Sequence, residues 1–262
     1  MTGQPLHVQS TGPVATVRID RPEVHNALNA TVLDALGAAM SEFAQDGRTR
    51  VVVLTGAGEK AFSAGADLDE LAELDPVAAH DTLRFGQRLF RDLETAGLPV
   101  IAAVNGFALG GGFELALAST FAVAAEHASF GLPEAGLGLI PGYGGTQRLA
   151  RLAGRQAAAH VMLTGQRLSA QRAYELGLLA VPPVPAERLL ETATELAERV
   201  AARSPKAIGM IMTALNHGAD ASLEAALALE SAFAGLATGT ADAEEGIAAF
   251  RAKRQANFGD AR

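Results

Sequence analysis

Arg50-Val-Val-Val-Leu-Thr55 is apolar on both faces of an extended chain, and Val100-Ile-Ala-Ala-Val104 repeats that character. Continuous apolar runs of this length suit strands buried in a parallel sheet that is covered on both sides. Val14-Ala-Thr-Val-Arg-Ile19 is a β-rich run closed by Asp20-Arg-Pro22, and Phe121-Ala-Val-Ala-Ala125 reads as a further strand. Between these runs the period lengthens. Val32, Leu33, Leu36, Met40 and Phe43 recur at helical spacing, a polar amphipathic stretch covers 68–96, and 112–118 reads as a helix. Strand, loop and helix in repetition predict an α/β core with a mostly parallel sheet.

From Ser169 onward helical patterns dominate, interrupted by Val181-Pro-Pro-Val-Pro185. Ser204-Pro205 is a helix start, with Ser as cap and Pro in the first turn. An apolar-rich helix is expected over 222–236 and a final helix over 243–257, which carries Lys253 and Arg254. The chain therefore divides into an α/β core, 1–195, and a helical appendage, 196–262. The uncharged stretch 98–113 contains Pro99, Asn105 and four glycines, so it does not read as a membrane span.

Composition adds three constraints. Of 262 residues 49% are hydrophobic and only 19% charged, against ~25% charged in an average domain. Such a chain folds. Its net charge of -8 argues against nucleic acid as the main partner. It has no Cys, and its six His show no metal-ligand spacing, so no metal site is expected. Residues 1–10 lack a basic region followed by an apolar one. That and the absence of Cys predict a cytoplasmic protein with no membrane partner.

The missing charge is concentrated. Between Thr95 and Gln147 the 53 residues carry three formal charges, Glu114, Glu126 and Glu134. Glu126 stands beside His127 in a solvent-facing turn. Glu114 and Glu134 stand in apolar, glycine-rich surroundings, where burial raises a carboxyl pKa and enables proton exchange near neutrality. The alternative is a pair of structural glutamates satisfied by backbone N–H groups or an Arg. Ten of the 28 glycines fall between Gly106 and Gly145. Gly110-Gly111-Gly112 and Pro141-Gly142-Tyr143-Gly144-Gly145 each precede a helix, where the backbone can approach a ligand and point N–H groups at developing negative charge. Phe62-Ser-Ala-Gly-Ala-Asp67 is either a second donor region or an ordinary β–α turn capped by Asp67.

Taken together these segments resemble a known family. Ala61-Phe-Ser-Ala-Gly-Ala-Asp-Leu68, Asn105-Gly-Phe-Ala-Leu-Gly-Gly-Gly-Phe-Glu-Leu115, Phe130-Gly-Leu-Pro-Glu134 and Ile140-Pro-Gly-Tyr-Gly-Gly-Thr-Gln-Arg-Leu149 are similar to the enoyl-CoA hydratase/isomerase (crotonase) family. Arg21-Pro22 with Asn26-Ala-Leu28, and Phe250 with Lys253-Arg254, extend the likeness over nearly the whole chain. The resemblance implies a spiral of repeated ββα units with a C-terminal helical trimerisation region, in a homotrimer or a homohexamer made of two trimers. It implies an acyl-CoA substrate and no separate cofactor, because CoA is part of the substrate. The Ala66 and Gly111 N–H groups would hold the thioester oxygen. Glu23, Val24, Ala64, Gly65, Ala66, Asp67, Leu68, Gly111 and Gly142 would line the CoA and acyl groove. Phe250 and Lys253 would reach the adenine end from a neighbouring subunit, although a cation at a helix end is also an ordinary solvated terminus.

Two glutamates in the family's two positions imply hydration of a trans-2-enoyl-CoA to the 3-hydroxyacyl-CoA. Glu114 would take a proton from water and Glu134 would protonate the α carbon. The alternatives are a delta-3,delta-2-enoyl-CoA isomerase or a pathway-specific lyase of the same family. Phe113, Leu132, Tyr143 and His25 depart from the usual pattern and bear on acyl specificity. Outside the family, Gly136-Leu-Gly138 lacks the third glycine of a dinucleotide fingerprint, and no Gly-x-Ser-x-Gly elbow marks a serine hydrolase. A non-catalytic acyl-CoA-binding or scaffold protein is the remaining alternative, and the presence of both glutamates speaks against it.

Overall fold

β1 (Leu6–Thr11) and β2 (Val14–Ile19) form an antiparallel pair, and β1 is largely exposed at the sheet edge. The computed structural model describes residues 4–259, so residues 1–3 of the stretch read for a leader lie outside it. α1 (Ala30–Gln45) begins where the Asn29 side chain accepts from the Val32 N–H, and it buries the five apolar residues of the helical pattern. Three similar turns follow. β3 (Val51–Gly56) leads to β4 (Ala61–Ser63), then α2 (Leu68–Ala72) and α3 (Pro76–Thr95). β5 (Val100–Val104) leads to β6 (Phe107–Leu109) and α4 (Gly111–Ala118). β7 (Phe121–Ala124) leads to β8 (Ser129–Gly131) and a 3-10 turn over Glu134–Leu137.

Each turn gives its first strand to one sheet and its second to another. The larger sheet has the order β1-β2-β3-β5-β7, parallel from β2 onward. The smaller contains β4, β6 and β8 in parallel, closed by antiparallel β9 (Leu168–Ser169), which lies beyond α5 (Gly145–Ala153) and α6 (Arg155–Thr164). This is a spiral of ββα units, as expected. The polar stretch after Leu68 is two helices, because Asp75 caps a fresh start at Pro76 with bonds from Val77 and Ala78 N–H.

Strands β3, β5 and β7 of the larger sheet are buried on both faces, which explains their unbroken apolar runs. Val52, Leu54, Val100, Ala102 and Val104 face a core shared with α1, α3 and α4. Val51, Val53, Ile101 and Ala103 face the other way. α7 (Ala170–Glu175) is followed by α8 (Leu189–Ala201), which covers that second face with Leu189, Ala193, Ala197 and Ala201 at four-residue spacing. The division drawn at residue 195 thus falls inside a helix that packs on the sheet along its whole length.

The later helices are α9 (Pro205–Gly218), α10 (Leu223–Thr238) and α11 (Ala241–Arg251). Ser204 caps α9, as read, and Ser222, expected as the first residue of its helix, caps α10 instead. α11 stops at Arg251, six residues short of the expected end. Lys253 takes a left-handed conformation (φ 53°), its N–H bonds Phe250 C=O, and Arg254 N–H reaches back to Ala249 C=O. A paired contact of Arg254 with Glu245, at 2.6 and 2.8 Å, fixes the chain reversal that helical periodicity does not reveal. No helix among the described residues is long and apolar enough to cross a membrane.

Candidate active site

The Ala64–Asp67 segment and the Gly110–Gly112 loop follow β4 and β6, which pair side by side. Gly65 adopts φ +99°, and a Cβ there would stand 2.7 Å from the Leu109 carbonyl oxygen and 2.9 Å from the Gly111 nitrogen. Only glycine satisfies both restrictions. A Cβ on Gly111 would in turn lie 3.2 Å from the Ala66 nitrogen. The two amides expected to act together are therefore neighbours. Gly65 C=O accepts from Leu28 N–H, and Asp67 N–H donates to Leu28 C=O. Strand alternation then turns the intervening Ala66 N–H to the opposite side. Gly111 opens α4, where the first N–H groups have no partner within the helix. The Ala66 and Gly111 nitrogens thus lie close together at the N-terminus of α4.

Glu114 lies in the first turn of α4, a helix buried on every face. Its Oε1 accepts from the Tyr143 N–H at 2.8 Å and the Gly145 N–H at 2.6 Å, at the start of α5. Burial pushes its carboxyl up to about 7. The Gly145 N–H opposes that rise, the Glu134 charge adds to it, and the Tyr143 N–H and Arg148 charge hold it down. Glu134 follows β8 in the 3-10 turn. A bond from Gly110 N–H to Gly131 C=O brings this turn beside the glycine loop, and a Cβ on Gly110 would stand 3.0 Å from Glu134 Oε1. Burial raises the Glu134 carboxyl, against its own backbone N–H. Its Oε2 is buried and has no hydrogen-bond partner among the described residues. A buried acceptor left open in this way is unusual and marks a place where a ligand can bond.

Of the unusual residues, Phe113 and Leu132 are core packing: Phe113 lies against Phe130 at 5.3 Å, and Leu132 is fully buried. Tyr143 belongs to the site wall. Its ring meets Phe90 edge-on at 5.3 Å and lies over Gly86 and Gly111, where a Cβ would come within 2.4 and 2.9 Å. Burial, with the Glu114 and Glu70 charges, pushes its hydroxyl up to about 12. The phenol therefore stays neutral across the working pH range.

The segments expected to hold CoA are also brought together. Glu23 and Val24 lie in a 3-10 turn, Ala64 N–H donates to His25 C=O, and Leu28 bridges Ala66. Arg21 reaches Asp67 at 3.2 Å, and Leu68 is half exposed at the start of α2. Gly142 carries the carbonyl that accepts from Gln87. Phe250, 85% exposed, and Lys253 sit at the outer end of α11, outside this cluster. His25 packs edge-on to Phe107 at 5.3 Å. Sequence reasoning missed the buried support of the loop. Asn26 is fully buried, accepts from Arg21 N–H and donates to the Ala57 and Ala61 carbonyls. It lies in the quoted Asn26-Ala-Leu28 motif, but only its burial reveals the role. Among the described residues no group of three or more His, Asp or Glu could hold a metal ion.

The family model of enoyl-CoA hydratase/isomerase matches residues 9–261. The chain belongs to the enoyl-CoA hydratase/isomerase family. It is 41% identical to the short-chain-enoyl-CoA hydratase of Clostridium acetobutylicum over 95% of each chain. It is 40% identical to the crotonyl-CoA hydratase of Syntrophomonas wolfei over 94% of each. The crystal structure of an enoyl-CoA hydratase from Bacillus anthracis superposes with a TM-score of 0.95 at 40% identity, covering 98% of this chain and all of that one. In this chain the Gly110–Gly112 loop lies beside the Glu134 turn, and Glu114 on the following helix accepts from the Tyr143–Gly145 loop.

Proposed function

We propose that the protein is an enoyl-CoA hydratase that adds water across the trans-2 double bond of an enoyl-CoA. The observation that carries this reading is the placement of two carboxyls raised by burial beside the neighbouring Ala66 and Gly111 amides. The names of its relatives agree with it.

The chemistry needs a base, an acid and a site for transient negative charge. Water approaches the β carbon while Glu114 accepts its proton. The double-bond electrons move through the α carbon onto the thioester oxygen. The Ala66 and Gly111 N–H groups and the α4 N-terminus stabilise that oxygen as it gains charge. Glu134 then gives its proton to the α carbon, leaving 3-hydroxyacyl-CoA. The pair holds one proton before and after the step, now on the other carboxyl, and exchange with solvent resets it. Two coupled carboxyls with one shared proton titrate as a unit. Substrate seated over Glu134, the less buried of the two, removes further water from it and favours the proton there. No cofactor is needed beyond the CoA carried by the substrate.

The CoA groove is assigned to Glu23, Val24, Ala64–Leu68 and Gly142, with Phe250 and Lys253 offered by a neighbouring subunit. That reading needs a trimer or a dimer of trimers, for which an exposed apolar helix is available. α10 buries none of its residues within one chain and leaves Leu223, Leu227 and Leu236 exposed. A chain without Cys suits the cytoplasm. The test is product identity. Crotonyl-CoA should lose its enoyl absorbance and yield 3-hydroxybutyryl-CoA. Inert crotonyl-CoA together with conversion of a 3-enoyl-CoA to the 2-enoyl isomer would replace hydration with isomerisation.

A further inference from the structure

Arg148 on α5 is bonded on two sides. Its Nε and Nη2 donate to the two carboxylate oxygens of Glu94 at 2.5 and 3.0 Å. Its Nη1 donates to the Tyr143 carbonyl at 2.8 Å. Its side chain is only 15% exposed. The Tyr143 residue is thereby held at both ends, since its N–H donates to Glu114. Gly144 makes room for this arrangement. It adopts φ +111°, and a Cβ there would fall 2.1 Å from Arg148 Nη1. Glu94 is anchored in turn. Arg91 approaches its carboxylate at 3.2 Å, and Asn216 on α9 donates to its backbone carbonyl at 2.6 Å. A chain of bonds therefore runs from α9 through α3 and α5 to the carboxylate of Glu114.

We infer that Arg148, clamped by Glu94, is the positioning residue that fixes the Tyr143–Gly145 loop and so the orientation of Glu114. The planar guanidinium suits the task. It engages both Glu94 oxygens with one edge and keeps a further N–H aimed at the Tyr143 carbonyl, which the single point charge of Lys cannot do. Arg148 has a second effect through space, because its cation favours the Glu114 carboxylate over the acid. Geometry and charge thus act on one group from one side chain. The inference rests on Glu114 as the base that takes the water proton.

Steady-state crotonyl-CoA hydration by full-length R148Q, R148K and E94Q, measured across pH, tests it. R148Q loses the fork and the charge. Its kcat should fall about a hundredfold, the scale of a misplaced catalytic group, with KM little changed. Its pH profile should move to higher pH, because the carboxyl pair becomes harder to ionise. R148K keeps the charge, so its kcat falls while the profile stays in place. E94Q keeps the cation but frees it, so its kcat falls and its profile does not move to higher pH. Wild-type kcat in R148Q or E94Q overturns the inference. So does a profile that stays in place in R148Q, because a purely structural role would lower the rate without moving it. Should R148Q fail to fold, E94Q and R148K decide alone, and a profile moved to higher pH in either defeats the proposal. E114Q run beside them separates the two readings. If it retains turnover, the role of Glu114 fails; if only the Arg148 variants disagree, the positioning role fails.

Discussion

Glu114→Gln separates what the carboxyl does for the reaction from what its burial costs the fold. In the folded chain the group is raised from 4.5 to about 7. A folded-state value above the unfolded one means that stability from this group is fully present below about pH 4.5 and is lost as pH rises through about 7. At about 1.4 kcal/mol per pH unit, the loss comes to about 3 kcal/mol once the group is fully ionised. Gln has nearly the same shape, and its oxygen can still accept the Tyr143 and Gly145 N–H bonds. Any cost of the amide is independent of pH and drops out of a comparison between two pH values. Urea unfolding of both proteins at one concentration, at about pH 5 and about pH 8.5, reads the effect. The variant should gain roughly 2–3 kcal/mol relative to the wild type on going to the higher pH. A stability difference that is the same at both pH values would refute a buried carboxyl held near neutrality.

The remaining predictions address the oxyanion donors, the loop and the proton count. Gly65→Ala forces a Cβ to 2.7 Å from a backbone oxygen at a positive φ. It should displace the Ala66 N–H and lower kcat by roughly the hundred- to thousandfold that follows loss of one such donor; unchanged kcat would remove this amide from the mechanism. Asn26→Ala strands two backbone groups, Arg21 N–H and Ala57 C=O, while Ala61 C=O keeps its bond from the Asn105 amide. It should cost on the order of 1–3 kcal/mol in a denaturant titration for each group left unsatisfied, and a neutral result would mean that water replaces the side chain. The pH dependence of kcat/KM should be bell-shaped, falling on the acid side when both carboxyls hold a proton and on the alkaline side when neither does. A profile with a single limb would show that one carboxyl suffices.

The parts legible in the sequence were those governed by local pattern. β3, β5 and β7 declare themselves because a strand buried on both faces has few polar positions to break its run, and β2 because its apolar residues alternate with Thr16 and Arg18. The three-residue strands β4, β6 and β8 are too short to carry a period, and they emerge only when the spiral stacks them. β1 escapes notice for another reason: it pairs at an edge and buries little beyond Leu6. Among site residues, Glu114 and Glu134 stood out as carboxyls in a stretch nearly empty of charge. Arg148 and Glu94 did not, because an Arg and a Glu on separate helices look like ordinary surface residues until the fold places them 2.5 Å apart. Lys253 ends α11 in a left-handed turn that usually selects glycine, so composition gave no warning of the stop.

The central claim is that two carboxyls share one addition of water. It is tested most directly by initial rates of crotonyl-CoA hydration for wild type, E114Q and E134Q, with thermal melts confirming that each variant is folded. The account predicts that each single substitution lowers the rate by roughly a hundredfold or more. A folded E114Q or E134Q that hydrates crotonyl-CoA at close to the wild-type rate would contradict it.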